Sequence, residues 1–381
     1  MNQYEYKTRL DAGKGNQEFR IGEGKLSAAL SLILGICSFL AVLAFLYPSY
    51  LTTMELRQVY DAETLQRILM YGMYFSLFLG ALASFLNRGK YRKYAFWGIG
   101  LTGTAFLLGG YQIPVGDVEP VRLSLGVDWL ILAFLGSVVI FTTLEVVLPK
   151  YKNQGILRPE WDVDLFYFCF NHLAISAIII FANYHVSHFD WLVSADLQGF
   201  VSAIPIWVQV VLIIIAADFV LYWEHRAYHE ITAIWPVHAV HHSVERLDWL
   251  AGSRGHVVQV FLERATVMIP LYLFGFSPEA LNVYVVFAAL HAVLIHCNTR
   301  LPFGPLKYVF VTPQYHHWHH ASDASAIDTN YCAHTVIFDR LFGTYHMPSK
   351  HWPFEYGTTK PVPKTVWGQL LYPLIAFFRK N

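Results

Sequence analysis

Between His225 and His334 the chain carries 13 of its 18 histidines, and eight of them fall into three tightly spaced sets. His225 and His229 stand four apart, His238, His241 and His242 follow an i, i+3, i+4 pattern, and His316, His319 and His320 repeat it. On a helix of about 3.6 residues per turn, each set shares one face. Neutral imidazoles gathered with no carboxylate between them would leave polar rings without partners, at on the order of 1–3 kcal/mol for each unsatisfied group. Metal ions remove that cost. Eight rings exceed the four ligands of a structural zinc or the three plus water of a catalytic one, so the pattern points to two ions with open positions.

His296 is the best ninth ligand, because it closes an apolar stretch just ahead of the third set. His291, five residues earlier, is rotated some 140° from it on a helix and is a weaker candidate. His256 and His334 read as ligands, as partners behind a ligand, or as surface groups. His172, His185, His188, His346 and His351 are isolated and read as packed or hydrogen-bonded rings. In the third set His317 falls at about 100° from His316, at the edge of the shared face, and points away from the ions. Asp218 is a carboxylate inside an apolar run, an expensive placement that is usually functional. Seven residues before His225, it is suited to orienting a ligand imidazole, and Glu224 and Glu263 could serve similarly. Imidazole alone suits zinc, copper, iron and nickel alike. Open redox sites beside apolar segments fit oxygen activation, and no glycine-rich phosphate loop, dinucleotide fingerprint or nucleophile elbow offers another chemistry.

The elements that carry these histidines belong to a membrane protein. The 381 residues are 55% apolar and 14% charged, against about 25% charged in ordinary globular chains. Lys plus Arg equals Asp plus Glu at 27 each, which leaves no basic surface for nucleic acid. Cys37, Cys169, Cys297 and Cys332 stand singly, so neither a disulfide framework nor a thiolate site is expected. Residues 1–26 are polar and do not resemble a cleaved leader. Apolar stretches long enough to cross a ~30 Å hydrocarbon core run at about 27–48, 69–86, 94–111, 128–148, 163–184 and 206–223.

Lys and Arg mark the cytoplasmic side. Lys7, Arg9, Lys14, Arg20 and Lys25, then Arg88, Lys90, Arg92 and Lys93, then Lys150, Lys152 and Arg158 fall in alternate loops, while the loops between hold Arg57, Arg67 and Arg122 and none in 185–205. The amino terminus and all three histidine sets are therefore expected in the cytoplasm. Ala265 to Cys297 is interrupted by Ser277-Pro278-Glu279; arms of about 12 and 18 residues read as a re-entrant hairpin rather than two crossings. Val366 to Phe378, followed by Arg379-Lys380, reads as interfacial. The predicted architecture is an all-α polytopic bundle with a cytosolic arm (1–26), accessory transmembrane helices (27–150), a catalytic domain (151–350) and an interfacial tail (351–381).

The three sets, in the order His-x3-His, His-x2-His-His, His-x2-His-His, resemble the fatty acid hydroxylase/sterol desaturase superfamily. The likeness extends to Asp218-x3-Tyr222-Trp223-x-His225-Arg226, Ser243, Arg254-x-His256 with Glu263, His296-x-Asn298, Asp328-x-Asn330-Tyr331, and Asp339 through Tyr345. It covers about 205–350. Val257 stands where the family usually has Pro, Cys332 where Gly is common, and the first 150 residues exceed the core fold. The resemblance implies two iron ions per chain and O2 as co-substrate. It further implies a lipid substrate and electrons from a separate donor that is cytochrome b5-, ferredoxin- or reductase-like. No fused cytochrome domain is visible in the sequence. The expected activity is lipid hydroxylation, with desaturation on the same site as the alternative. A divalent-metal transporter would line the middle of its spans with histidine, and a zinc hydrolase would need fewer histidines and a carboxylate base.

Overall fold

A helix pairs every backbone group within its own segment, which is what crossing hydrocarbon requires of an open chain, and the apolar stretches of this sequence fold accordingly. The computed structural model describes residues 24–57, 59–86, 89, 91–115, 124–186, 191–192, 194–348 and 351–378. Lys7, Arg9, Lys14, Arg20, Arg88, Lys90, Arg122, His188, Arg379 and Lys380, used above for sidedness or weighed as candidates, lie outside the described residues, as does the side chain of His185. Thirteen longer helices are named here: α1 (Lys25–Leu46), α2 (Ala62–Leu86), α3 (Arg92–Leu107), α4 (Val127–Val147), α5 (Trp161–Val186), α6 (Ala195–Ser202), α7 (Ile206–Glu230), α8 (Trp235–His242), α9 (Val257–Leu273), α10 (Pro278–His296), α11 (Pro313–His319), α12 (Ile337–Phe342) and α13 (Val366–Phe378). Among the described residues there is no strand, only isolated bridges such as Phe310 with Thr335.

Among the described residues, five helices are long and apolar enough to cross a membrane: α1, α2, α4, α7 and α10. The stretch expected at 94–111 forms only the 16-residue α3 before the chain turns at Gly110–Gln112. That at 163–184 lies in α5, which is 26 residues long. The two arms around Ser277 are 17 and 19 residues, longer than the expected 12 and 18. The first starts early because the His256 ring accepts the Val258 N–H at 3.2 Å and caps α9, a donor left open at any helix start. Ser277 caps α10 through Ala280, with Pro278 in its first turn.

By its internal contacts the chain forms two units, Met1–Leu135 and Gly136–Asn381, with the division inside α4. In the first unit α1, α2 and α3 approach closely because the residues between them are small. A Cβ on Gly35 would lie 2.7 Å from the Gly98 carbonyl oxygen. Ser76 donates to the Ser31 carbonyl at 2.9 Å and meets the Thr102 hydroxyl at 2.8 Å, as polar side chains do between apolar helices. In the second unit α7, α9 and α10 share a core of Ile213, Ala217, Val267, Met268, Leu271, Leu281 and Tyr284. That core fixes the three long helices whose ends carry or support the histidines.

Candidate metal centre

α7 continues without a break to Glu230, so His225 and His229 sit on its last turns. The chain then turns at Ile231 and re-enters a helix at Trp235, with Pro236 in the first turn of α8. α8 carries His238, His241 and His242. α10 ends on His296, and α11 carries His316 and His319 and stops at His320, after a start capped by Thr312 with Pro313 behind it.

These nine histidines form two groups whose ligand atoms lie within 4.8 Å of one another: His225, His229, His238, His242 and His319 in one, and His241, His296, His316 and His320 in the other. In the first group His238 Nε2 is 2.9 Å from His225 Nε2 and 3.0 Å from His242 Nε2. In the second, His296 Nε2 is 2.9 Å from His316 Nε2 and 3.2 Å from both His241 Nε2 and His320 Nε2.

The other face of each ring decides what these approaches mean. His225 Nδ1 donates to the Tyr331 carbonyl at 2.7 Å, His241 Nδ1 to that of Arg254 at 2.7 Å, His296 Nδ1 to that of Ala292 at 2.6 Å and His319 Nδ1 to that of Thr329 at 2.8 Å. A carbonyl only accepts, so the proton is on Nδ1 and Nε2 of a neutral ring is a bare lone pair. His241 Nε2 and His296 Nε2 thus face each other at 3.2 Å with no proton between them. Such an approach is repulsive unless a cation lies between the rings. Burial first, and then neighbouring imidazoles, hold His238, His242 and His320 well below the usual imidazole range, and burial pushes His241 down to about 4. The rings are therefore neutral, and the donor set fits metal ions.

Gln259 and Glu145 were not singled out by spacing. Gln259 Oε1 accepts His238 Nδ1–H at 3.0 Å, and its Nε2 donates to Glu263 at 2.8 Å, so Glu263 reaches the site through an amide. Glu145, at the end of α4, accepts the Trp249 N–H at 2.7 Å and the Asn298 N–H at 2.9 Å. It thereby ties the turn Trp249–Ser253 to the chain leaving His296. A Cβ on Gly252 of that turn would stand 3.0 Å from His296 Nδ1 and 3.1 Å from the Ala292 carbonyl oxygen, so any larger residue there would press on the ring. Arg254, 0% exposed, pairs with Asp164 at 2.5 Å and Glu160 at 2.8 Å, while Arg158 contacts Asp164 and pairs with Asp248 at 2.9 Å. This buried ionic network fixes the carbonyl on which His241 rests.

Other candidates fall elsewhere. Asp218 makes no direct hydrogen bond to an imidazole ring among the described residues. Its carboxylate accepts the N–H groups of Ala333 and His334 at 2.9 Å and of Thr335 at 2.8 Å, and the Thr335 hydroxyl at 2.6 Å. The cost of its burial is met by a loop rather than by a ligand. Glu224 accepts from Tyr228 at 3.1 Å and Thr266 at 2.9 Å. His334 approaches Tyr284 at 3.4 Å, His291 donates to the Val311 carbonyl at 2.9 Å and His256 to that of Leu370 at 3.1 Å, all outside both groups. Asn330 clamps the carbonyls of Tyr315 at 3.1 Å and His346 at 2.6 Å. His317 donates to the carbonyls of His296 at 3.3 Å and Cys297 at 3.2 Å and accepts from Tyr356 at 2.9 Å.

Residues 210–344, which contain all nine rings, match the fatty acid hydroxylase family. The chain is 38% identical over 178 residues to an ornithine lipid hydroxylase of Rhizobium tropici, covering 46% of this chain and 54% of that protein. It is 32% identical over 151 residues to an alkylglycerol monooxygenase of Xenopus tropicalis, covering 40% and 33%. A very-long-chain aldehyde decarbonylase of Oryza sativa subsp. indica is 26% identical over 205 residues, covering 51% and 70%. The chain thus spans about half the length of the first of these relatives and a third of the second. No solved structure matches it. Over residues 210–344, the segment that gathers the nine histidines, the chain thus matches the fatty acid hydroxylase family, and the relatives it resembles include a lipid hydroxylase and a monooxygenase.

Proposed function

We propose that this protein is a membrane oxidoreductase, a di-iron, O2-dependent hydroxylase of a lipid chain. The observation that carries the reading is the gathering of nine imidazoles, seven of them buried, into two adjoining groups in which bare Nε2 lone pairs oppose each other, as those of His241 and His296 do at 3.2 Å. Five imidazoles for one ion and four for the other leave positions open on six-coordinate metals but not on tetrahedral zinc, and of the metals that imidazole suits, iron is the one the family resemblance implies. A bound iron pair supplies oxygen activation, with the balance RH + O2 + 2 e⁻ + 2 H⁺ giving ROH + H2O, the electrons coming from a separate donor protein.

The chain's own part is positioning and exclusion. Carbonyls behind the rings hold the Nε2 lone pairs inward, so no reorganisation is needed when an ion binds. His238, His241, His242, His316, His319 and His320 are all buried, which keeps bulk water from the centre. The site lies at the ends of α7 and α10, both long and apolar enough to cross a membrane, and their exposed Phe219, Trp223, Val283, Val286 and Leu290 let a hydrocarbon chain lie alongside. Two relatives are named for an ornithine lipid and for alkylglycerol, which favours a polar lipid with a long alkyl or acyl chain as substrate. The loop charges favour histidines on the cytosolic face.

Purified protein is expected to hold two equivalents of iron with nitrogen and oxygen neighbours only. Lipid extracts incubated with it, an electron source and labelled oxygen gas are expected to gain a labelled hydroxyl. One equivalent of metal, or a sulfur shell, removes the di-iron reading; an unlabelled product with a new double bond makes the enzyme a desaturase.

A further inference from the structure

Three of the five rings in the first group lean on four consecutive residues. Asp328 Oδ1 stands 3.3 Å from His229 Nδ1, the Thr329 carbonyl accepts from His319 at 2.8 Å, and the Tyr331 carbonyl accepts from His225 at 2.7 Å. The four-histidine group takes nothing from this loop. His241 and His296 rest on the carbonyls of Arg254 and Ala292, and Nδ1 of His316 and of His320 has no hydrogen-bond partner among the described residues.

Aiming one side chain and two carbonyls at the same cluster within four residues requires an unusual backbone. Asp328 has φ 59° and Asn330 φ 62°, a left-handed conformation that Glu160 alone shares among the described non-glycine residues. Strain of this kind persists only where the surroundings over-determine it. Here they do. Besides the Asn330 clamp, Asp339 accepts the N–H groups of Tyr331 and Cys332 at 2.8 Å each, and Asp218 holds the next three residues. Two carboxylates also stand behind the five-histidine group, Asp328 directly behind His229 and Glu263 behind His238 through Gln259. A carboxylate behind a ligand imidazole raises the ring's basicity and its hold on metal.

We propose that residues 328–331 form a platform serving one of the two ions alone, and that Asp328, acting through His229 as a positioning residue, makes the five-histidine site the tighter and separately tunable one. The inference rests on the dimetal reading, and its test separates the two. The full chain in detergent is loaded with cobalt(II) and titrated with a competing chelator, following the ion's visible absorption. Wild type is expected to hold two equivalents and release them in two steps, the four-histidine ion first. Asp328→Gly keeps the left-handed backbone without strain and deletes only the carboxylate. It is expected to move the later step to roughly 10–100-fold lower chelator concentration, leaving the earlier step unchanged. Asp328→Asn, which retains an acceptor oxygen but not the charge, is expected to restore only part of the difference. Both steps moving together, or neither moving, overturns the proposal. Wild type binding one equivalent or none defeats the dimetal reading itself, and the inference with it.

Discussion

Gln259 stands between His238 and Glu263, receiving the imidazole N–H at 3.0 Å and donating to the carboxylate at 2.8 Å. An amide can do both at once, which no hydrocarbon of the same size can. His238 is also the ring whose Nε2 meets two others in the five-histidine group. Gln259→Leu is therefore expected to lower metal affinity, and turnover with it, by roughly 10–100-fold. Metal titration of the purified variant checks this; wild-type affinity would reduce Gln259 to a packing residue.

His317 is the exception within its box. It lies outside both ligand groups and links α11 to the end of α10 and to Tyr356. His317→Gln can still donate and accept, and is expected to keep two metals and most activity. His317→Leu strands buried carbonyls and a hydroxyl, at on the order of 1–3 kcal/mol for each group left unpaired, and should lower the thermal midpoint. By contrast His316→Gln, His319→Gln and His320→Gln each remove a lone pair aimed at the ions and are expected to abolish activity. Iron content and turnover across the five variants distinguish these roles.

Sidedness follows from loop charge. Single cysteines placed at Ser194 or Asp196 are expected to react with an impermeant reagent from outside, and ones at Glu355 or Lys360 only after the membrane is opened. The reverse pattern would invert the topology. Reaction of both sets from outside would mean that the 265–297 segment crosses the membrane once instead of dipping in and returning.

The His256 ring accepts one hydrogen bond, from Val258, and donates one, to Leu370, so it must be neutral, and burial holds its pKa below the usual value. A ring that takes up a proton more readily unfolded than folded contributes stability in full above the unfolded value of about 6.5 and loses it as pH falls toward the lower folded value. His256→Asn keeps a good helix cap. Its melting temperature is expected to fall less than that of wild type between pH 7 and pH 5. Parallel curves would show that His256 does not carry this dependence.

The helices and the shared histidine faces were legible because both rest on periodicity: apolar runs for α1, α4 and α7, and i, i+3, i+4 spacing for α8 and α11. His296 was legible by its place at the end of an apolar run. What lies behind the rings was not. Four of the acceptors are backbone carbonyls, of Arg254, Ala292, Thr329 and Tyr331, and a carbonyl carries no residue type to read. Asp218 was recognised as costly where it stands, but its partners are 115 to 117 positions away, and a lone sequence cannot choose between an imidazole and a distant loop. α3 fell short of a span because the chain turns at Gly109, with φ 112°, a conformation that the apolar count does not register.

His241 and His242 are neighbours in the chain, as are His319 and His320, yet each pair divides, one ring to either group. Consecutive Cα atoms are fixed about 3.8 Å apart and successive side chains diverge by roughly 100° on a helix. Two covalent rungs therefore set the gauge between the two histidine groups, in the way that sleepers set the gauge of a track. No loop movement can widen it while α8 and α11 remain helical. Accommodation of a bulky or differently shaped substrate must then come from the apolar helix walls, and a one-residue insertion inside either dipeptide should derail the pair as a whole rather than one ion.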